Sequence, residues 1–190
     1  MNKKLLNIFI LVSFIYPQGD ISFNIDKNKS QLLWRAEKLT GNHWGYIAIK
    51  TGEVTFNSQG QLKTGGIVVD MSTITIEDNT WKEKLKEHLE SDDFFSVNNF
   101  PESGFKINKL TPNHSGLEVE GMLTIKGVTH PNKFIARVKA SNSGYSATGK
   151  VVIDRTLYGI KYRSGKYFSD LGNRLIYDNF TIEFNLVTKR

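Results

Sequence analysis

The chain has 190 residues, enough for one domain with a full core and too few for two ordinary ones. It has no Cys, which excludes disulfide frameworks, thiolate metal sites and cysteine nucleophiles together. The formal charge is +6, but the Lys and Arg are interleaved with acids, as in Lys82-Glu83-Lys84, so the clustered basic face of a nucleic-acid binder is missing.

The N-terminus places Lys3 and Lys4 before an apolar run from Leu5 to Tyr16. Twelve helical residues span about 18 Å, short of a hydrocarbon core of about 30 Å. This is the layout of a secretory signal peptide, and residues 1–19 are read as one, although Pro17-Gln18-Gly19 is a poor cleavage motif. Removing Lys3 and Lys4 lowers the formal charge to +4.

From residue 20 the dominant period is two. Ile21, Phe23 and Ile25 alternate with polar residues, then Leu32, Trp34 and Ala36, then Ile47 and Ile49. A turn is expected at Thr51-Gly52, followed by Val54 and Phe56, a second turn at Asn57–Gly60, and Ile67, Val69 and Met71. Between Asn79 and Glu90 the period changes: Trp81, Leu85, His88 and Leu89 form an apolar stripe at helical spacing, capped by Asp78 or Asn79. The aromatic cluster Phe94, Phe95 and Phe100 follows, closed by Pro101. Alternation then resumes at Phe105 and Ile107, at Leu117, Val119, Leu123 and Ile125, and at Phe134, Ala136 and Val138. It continues through Tyr145, Ala147, Val151 and Ile153 and ends with Phe180, Ile182, Phe184 and Leu186. All four prolines are placed outside these runs. Twelve Phe, seven Tyr, three Trp and 16 Gly suit such a protein. About eight to nine strands joined by short turns predict an all-β, antiparallel meander that closes into a barrel or folds into a sandwich, with one short helix and an aromatic loop.

No catalytic motif stands out. The four His are scattered, and no Gly-x-Ser-x-Gly elbow or phosphate loop is present. His88 near Glu87, Asp92 and Asp93 has the atoms for a mixed metal site, but a His at the edge of an apolar stripe is more often packed, and no metal or cofactor is expected. The informative feature is the apolar surface that alternation turns inward, which fills a narrow barrel and lines the cavity of a wider one. Periodicity alone does not choose between them.

Four stretches carry a resemblance: Asp70-Met71-Ser72-Thr73-Ile74; His88 to Phe95 with Phe100-Pro101; Gly121-Met122-Leu123-Thr124-Ile125-Lys126-Gly127-Val128-Thr129-His130-Pro131; and Ile153-Asp154-Arg155-Thr156-Leu157-Tyr158-Gly159-Ile160. In order and spacing they resemble the YceI-like family, secreted bacterial proteins with a lipocalin-like barrel that bind polyisoprenoid or other long-chain lipids. Thr75-Ile76-Glu77-Asp78 and Lys86-Glu87 stand where the family often has Thr-Gly and Arg-Asp, which leaves the ligand's identity open.

The resemblance implies a barrel domain over residues 20–190 and a periplasmic or secreted, non-enzymatic carrier of a long-chain lipid or isoprenoid. It implies a monomer or homodimer that does not insert in the membrane once the signal is cleaved. The expected pocket residues are Trp34, Ile47, Ile49, Val69, Met71, Phe105, Leu123, Ile125, Phe134, Ile153 and Phe184, with Phe94 and Phe95 at the lid. Lys86, His88, Arg155 and Arg163 are the candidate headgroup contacts, although the favoured reading of Arg155 is an ion pair with Asp154 that braces the barrel mouth. Two alternatives stay open: an enzyme using His88 or Asp154 as acid or base, and a packed barrel that binds partners through the basic, aromatic segment Tyr162 to Phe168.

Overall fold

The computed structural model describes residues 19–78 and 81–189. All but Gly19 of the signal segment, and the alternative helix cap Asn79, lie outside the described residues. Nine strands follow in order: β1 (Ile21–Ile25), β2 (Gln31–Lys38), β3 (Gly41–Phe56), β4 (Leu62–Asp70), β5 (Glu102–Asn113), β6 (Gly116–Ile125), β7 (Val128–Ser141), β8 (Gly144–Asp154) and β9 (Ile176–Lys189). From β2 onward each strand pairs antiparallel with the next, and β9 returns to β2, closing an eight-stranded barrel. The ninth strand, β1, pairs with the second half of β3 and the end of β9. It therefore prolongs the stave that β2 occupies, after an interruption at residues 26–30. The barrel expected from the alternation is the fold found.

Two details of the reading are corrected. There is no turn at Thr51-Gly52: β3 runs unbroken through it, and the register with β4 slips between Ile49 and Thr51. That bulge moves the inward positions from odd (Ile47, Ile49) to even (Val54, Phe56), a change of parity that imitates a turn in the sequence. Gly52 serves close packing, since a Cβ there would come within 2.8 Å of Ile25. Likewise Pro112 and Pro131 lie within β5 and β7. Both occupy positions whose missing N–H would face away from β6, toward stretches where the β4–β5 and β7–β8 ladders are absent.

The ends of the barrel are unlike. At one end β3–β4, β5–β6 and β7–β8 are joined by short turns, and Phe56 stacks on Tyr145 at 3.6 Å with Phe23 edge-on to both, plugging the interior. At the other end lie the two long connections, 71–101 and 155–175, with the tight turn Lys126-Gly127, both residues at positive φ (50° and 73°) as a two-residue hairpin of this type demands. The first long connection holds the one α-helix among the described residues, α1 (Lys82–Glu90). Leu89 is buried and Leu85 half-buried, but Trp81 is 73% exposed and stands at the N-cap in the left-handed region, not in the apolar stripe. Asp78 does not cap the helix. Its carboxylate instead accepts from the Trp44 backbone N–H (3.1 Å) and faces His43 Nδ1 (3.1 Å).

Candidate functional site

The barrel is hollow. An apolar cavity of about 230 Å³ runs beneath the long connections. Trp34, Ile47, Val69 and Met71 line it from the first half of the barrel. Phe105, Leu123, Ile125, Phe134, Ile153 and Phe184 line it from the second, and Phe94 and Phe95 close it above. The rings of Phe105, Phe134 and Phe184 meet at 5.2 and 5.5 Å and pack one side. Ile49 is the exception among the expected residues: it is buried but off the cavity wall, beside the bulge at Lys50. The wall also includes residues absent from that expectation. Ala136, Ala147, Val151, Phe180 and Ile182 were visible in the alternation, whereas Ile74, Ile160 and Ile176 lie in or next to irregular segments with no periodicity to mark them.

The lid is assembled from backbone geometry. Asp70 accepts from Ser72 N–H and opens a single helical turn at Met71–Thr73. The next residues lie along β3: Thr75 N–H donates to Tyr46 O (2.9 Å), Glu77 N–H to Trp44 O (2.8 Å), and Trp34 Nε1 to Thr75 O (3.0 Å). Ile74 and Ile76 are thereby turned into the core. After α1, Phe95 N–H bonds Leu89 O and Val97 N–H bonds Glu90 O, folding the aromatic loop back under the helix. Ser96, at φ 50°, donates its hydroxyl to Asp92 and holds that reversal. Met71 N–H reaches Pro101 O (2.9 Å) and closes the base of the lid.

The candidate headgroup residues are not gathered in the cavity. Lys86 pairs with Glu90 (3.7 Å) on the outer side of α1. The His88 ring sits edge-on to Phe94 (4.8 Å) and Tyr162 (4.6 Å), joining the two long connections. The Arg163 guanidinium lies over the Tyr162 ring at 5.0 Å. Arg155 does reach the wall, but it is 4% exposed and its fork is spent on the chain itself. Nε donates to Tyr177 O (3.1 Å), one terminal nitrogen to Ile160 O (2.8 Å) and the other to Ile176 O (3.0 Å), with Asp178 at 3.5 Å. It ties the start of the 155–175 connection to its end.

Outside this brace, Lys166 Nζ donates to Asp154 Oδ2 at 2.7 Å, and Asp154 also accepts from the Thr156 hydroxyl and amide. Burial pushes the Asp154 carboxyl up, but those hydrogen bonds outweigh it and hold it below the ordinary 3.8. Lys166 is raised above 10.5 by the hydrogen bond to Asp154. The Asp154 contribution to stability is therefore complete above about pH 4 and is lost as pH falls through its depressed folded value. The Lys166 contribution is complete below about pH 10 and is lost as pH rises through its raised one. Thermal melting across pH is expected to show an acid-side decline that is shallower in Asp154→Asn; an unchanged acid limb in that variant would contradict the assignment.

Residues 23–188 match the model of the YceI-like domain. The chain belongs to the YceI-like family. A UPF0312 protein of Enterobacter sp. (strain 638) is 27% identical over 169 residues, covering 80% of this chain and 84% of the relative. Protein YceI of Salmonella heidelberg is 27% identical over 165 residues, with the same coverage. Among solved structures, Burkholderia cenocepacia BcnA superposes with a TM-score of 0.70 at 18% identity, over 85% of this chain and 98% of that one. A polyisoprenoid binding domain from Saccharophagus degradans superposes at 0.59 and 12% identity, over 88% and 97%. These likenesses establish the barrel as the family's fold.

Proposed function

We propose that the chain is a periplasmic or secreted carrier that holds a long-chain apolar ligand, a polyisoprenoid, quinone-like or fatty-acyl lipid, inside the barrel. The observation behind this reading is the cavity wall: it is hydrocarbon and aromatic almost throughout, and no carboxylate, imidazole or amine stands on it among the described residues. His88 and Asp154, the acid-base candidates, are both off it. Such a wall holds a ligand by burying methylene groups, at about 0.8 kcal/mol each. The Saccharophagus relative, a polyisoprenoid binding domain, supports the ligand class.

At about 230 Å³ the cavity is smaller than the roughly 300–1,000 Å³ of most small-molecule sites. A long chain must therefore displace side chains, and Phe94 and Phe95 are the natural ones because they hang from a loop, not from a sheet. The Ser103 hydroxyl is buried beside the wall without a hydrogen-bond partner.

Ala147→Phe tests the reading. It adds a ring to the cavity from β8, where Ala147 faces Leu186 and Val138 across the neighbouring strands. Titration of lipid-stripped protein with a fluorescent undecanoic acid is expected to show at least tenfold weaker binding in the variant, with the melting temperature kept or raised because a void is filled. Equal binding by both proteins, or none by either, would contradict an internal site.

A further inference from the structure

We propose that the capped end of the barrel docks on an anionic lipid bilayer through its 155–175 side. Ten large hydrophobic residues are exposed among the described residues, and all but Ile21 lie on the connections at this end or within three residues of them. They are not one flat patch. Leu39 comes from the β2–β3 turn, Trp81 from the foot of α1, and Leu157, Tyr167 and Phe168 from the 155–175 connection. Tyr167 and Phe168 are about half exposed and consecutive, on a turn fixed by their N–H groups donating to Ser164 O (3.1 and 3.0 Å). Ser164 is fully buried, so the two rings stand on a rigid base.

Charge selects the partner. The 155–175 connection carries Arg155, Lys161, Arg163, Lys166 and Arg174 against a single acid, Asp170, whereas the 71–101 connection carries seven acids against Lys82, Lys84 and Lys86, so the 155–175 side is the one that meets the bilayer. Lys166 is tied to Asp154, and Arg155 to Asp178, but Lys161, Arg163 and Arg174 make no ion pair among the described residues. Lys161 lies over the Tyr167 ring at 4.7 Å, and Lys84 over Trp81 at 5.7 Å. Half-exposed aromatic rings interleaved with unpaired cations are the composition of the headgroup layer, where rings sit at the acyl boundary and cations meet anionic phosphates. A protein partner would instead be met by a contiguous apolar core with a polar rim. The same end carries the lid, so docking there would bring the cavity's roof against the bilayer; that consequence alone rests on the carrier reading.

The test is flotation of the purified protein with cargo-free vesicles of phosphatidylethanolamine and phosphatidylglycerol (3:1), against vesicles of phosphatidylcholine alone. Binding to the anionic vesicles is expected, weakening as salt rises. Each basic side chain at an anionic surface is worth about fivefold, so Lys161→Ala with Arg163→Ala is expected to weaken binding about 25-fold. Tyr167→Ser with Phe168→Ser is expected to cost about tenfold, these side chains being exposed and the melting temperature unchanged. No binding by the unaltered protein, equal binding to both vesicle types, or folded variants that bind undiminished would overturn the proposal. Because the vesicles contain no candidate cargo, such a failure is distinct from a failure of the internal site, which the undecanoic acid titration reads.

Discussion

Arg155→Ala is expected to lower the free energy of unfolding by about 3–5 kcal/mol, the usual cost of removing one side of a buried charged network. The guanidinium donates to three backbone carbonyls, of Ile160 within the 155–175 connection and of Ile176 and Tyr177 at the start of β9. Deleting it leaves those carbonyls and the half-buried Asp178 to find new partners, each unmet acceptor costing about 1–3 kcal/mol. Tyr158 and Ile160, both almost fully buried in that connection, would lose their backing. Arg155→Lys is expected to recover less than half of the loss, because an ammonium keeps the charge but not the planar fork. Urea unfolding of the three proteins decides it. A loss below about 1 kcal/mol for the alanine variant would mean that the brace is dispensable and would return Arg155 to the list of headgroup contacts.

The second large effect is expected at Gly45. A Cβ built there would lie 1.9 Å from Thr75 O and 3.0 Å from Trp34 Nε1, inside the point where the lid segment crosses β3. The clash is with backbone, so it is not relieved by a rotamer. Gly45→Ala must push residues 74–77 away and with them the bonds Thr75 N–H to Tyr46 O, Glu77 N–H to Trp44 O and Trp34 Nε1 to Thr75 O. A loss of about 3 kcal/mol is expected, with Ile74 and Ile76 lifted from the core. Amide hydrogen exchange at Thr75 and Glu77 is expected to accelerate more than 100-fold while the β6–β7 ladder stays protected. Unchanged exchange at those two amides would show that the lid is not held by this crossing.

Much of the barrel was legible in the residues because a sheet with one buried face writes its geometry as alternation. Trp34, Phe105, Phe134, Ile153 and Phe184 all line the cavity because they keep that period. The period also misled where it slipped: the bulge at Lys50 exchanged the faces of β3 and looked like a turn, and it removed Ile49 from the wall. The lid was legible only in part. Phe94 and Phe95 stood out as an aromatic pair before a proline, but Trp81 fell into the helical stripe by spacing and faces solvent in the fold. The sequence suggested a brace at Arg155 but not its partners, since its acceptors lie up to 22 residues away. Gly45 is silent for the same reason: what a glycine permits depends on which segment crosses it, and that is a property of the closed barrel.

Native mass spectrometry of the protein purified from its own host, followed by organic extraction and identification of what is bound, tests the carrier reading most directly. The account predicts a stoichiometric adduct of prenyl, quinone or acyl type, absent from Ala147→Phe prepared in the same way. Protein that is reproducibly empty, and stays empty when offered prenyl diphosphates, quinones and fatty acids, would contradict it.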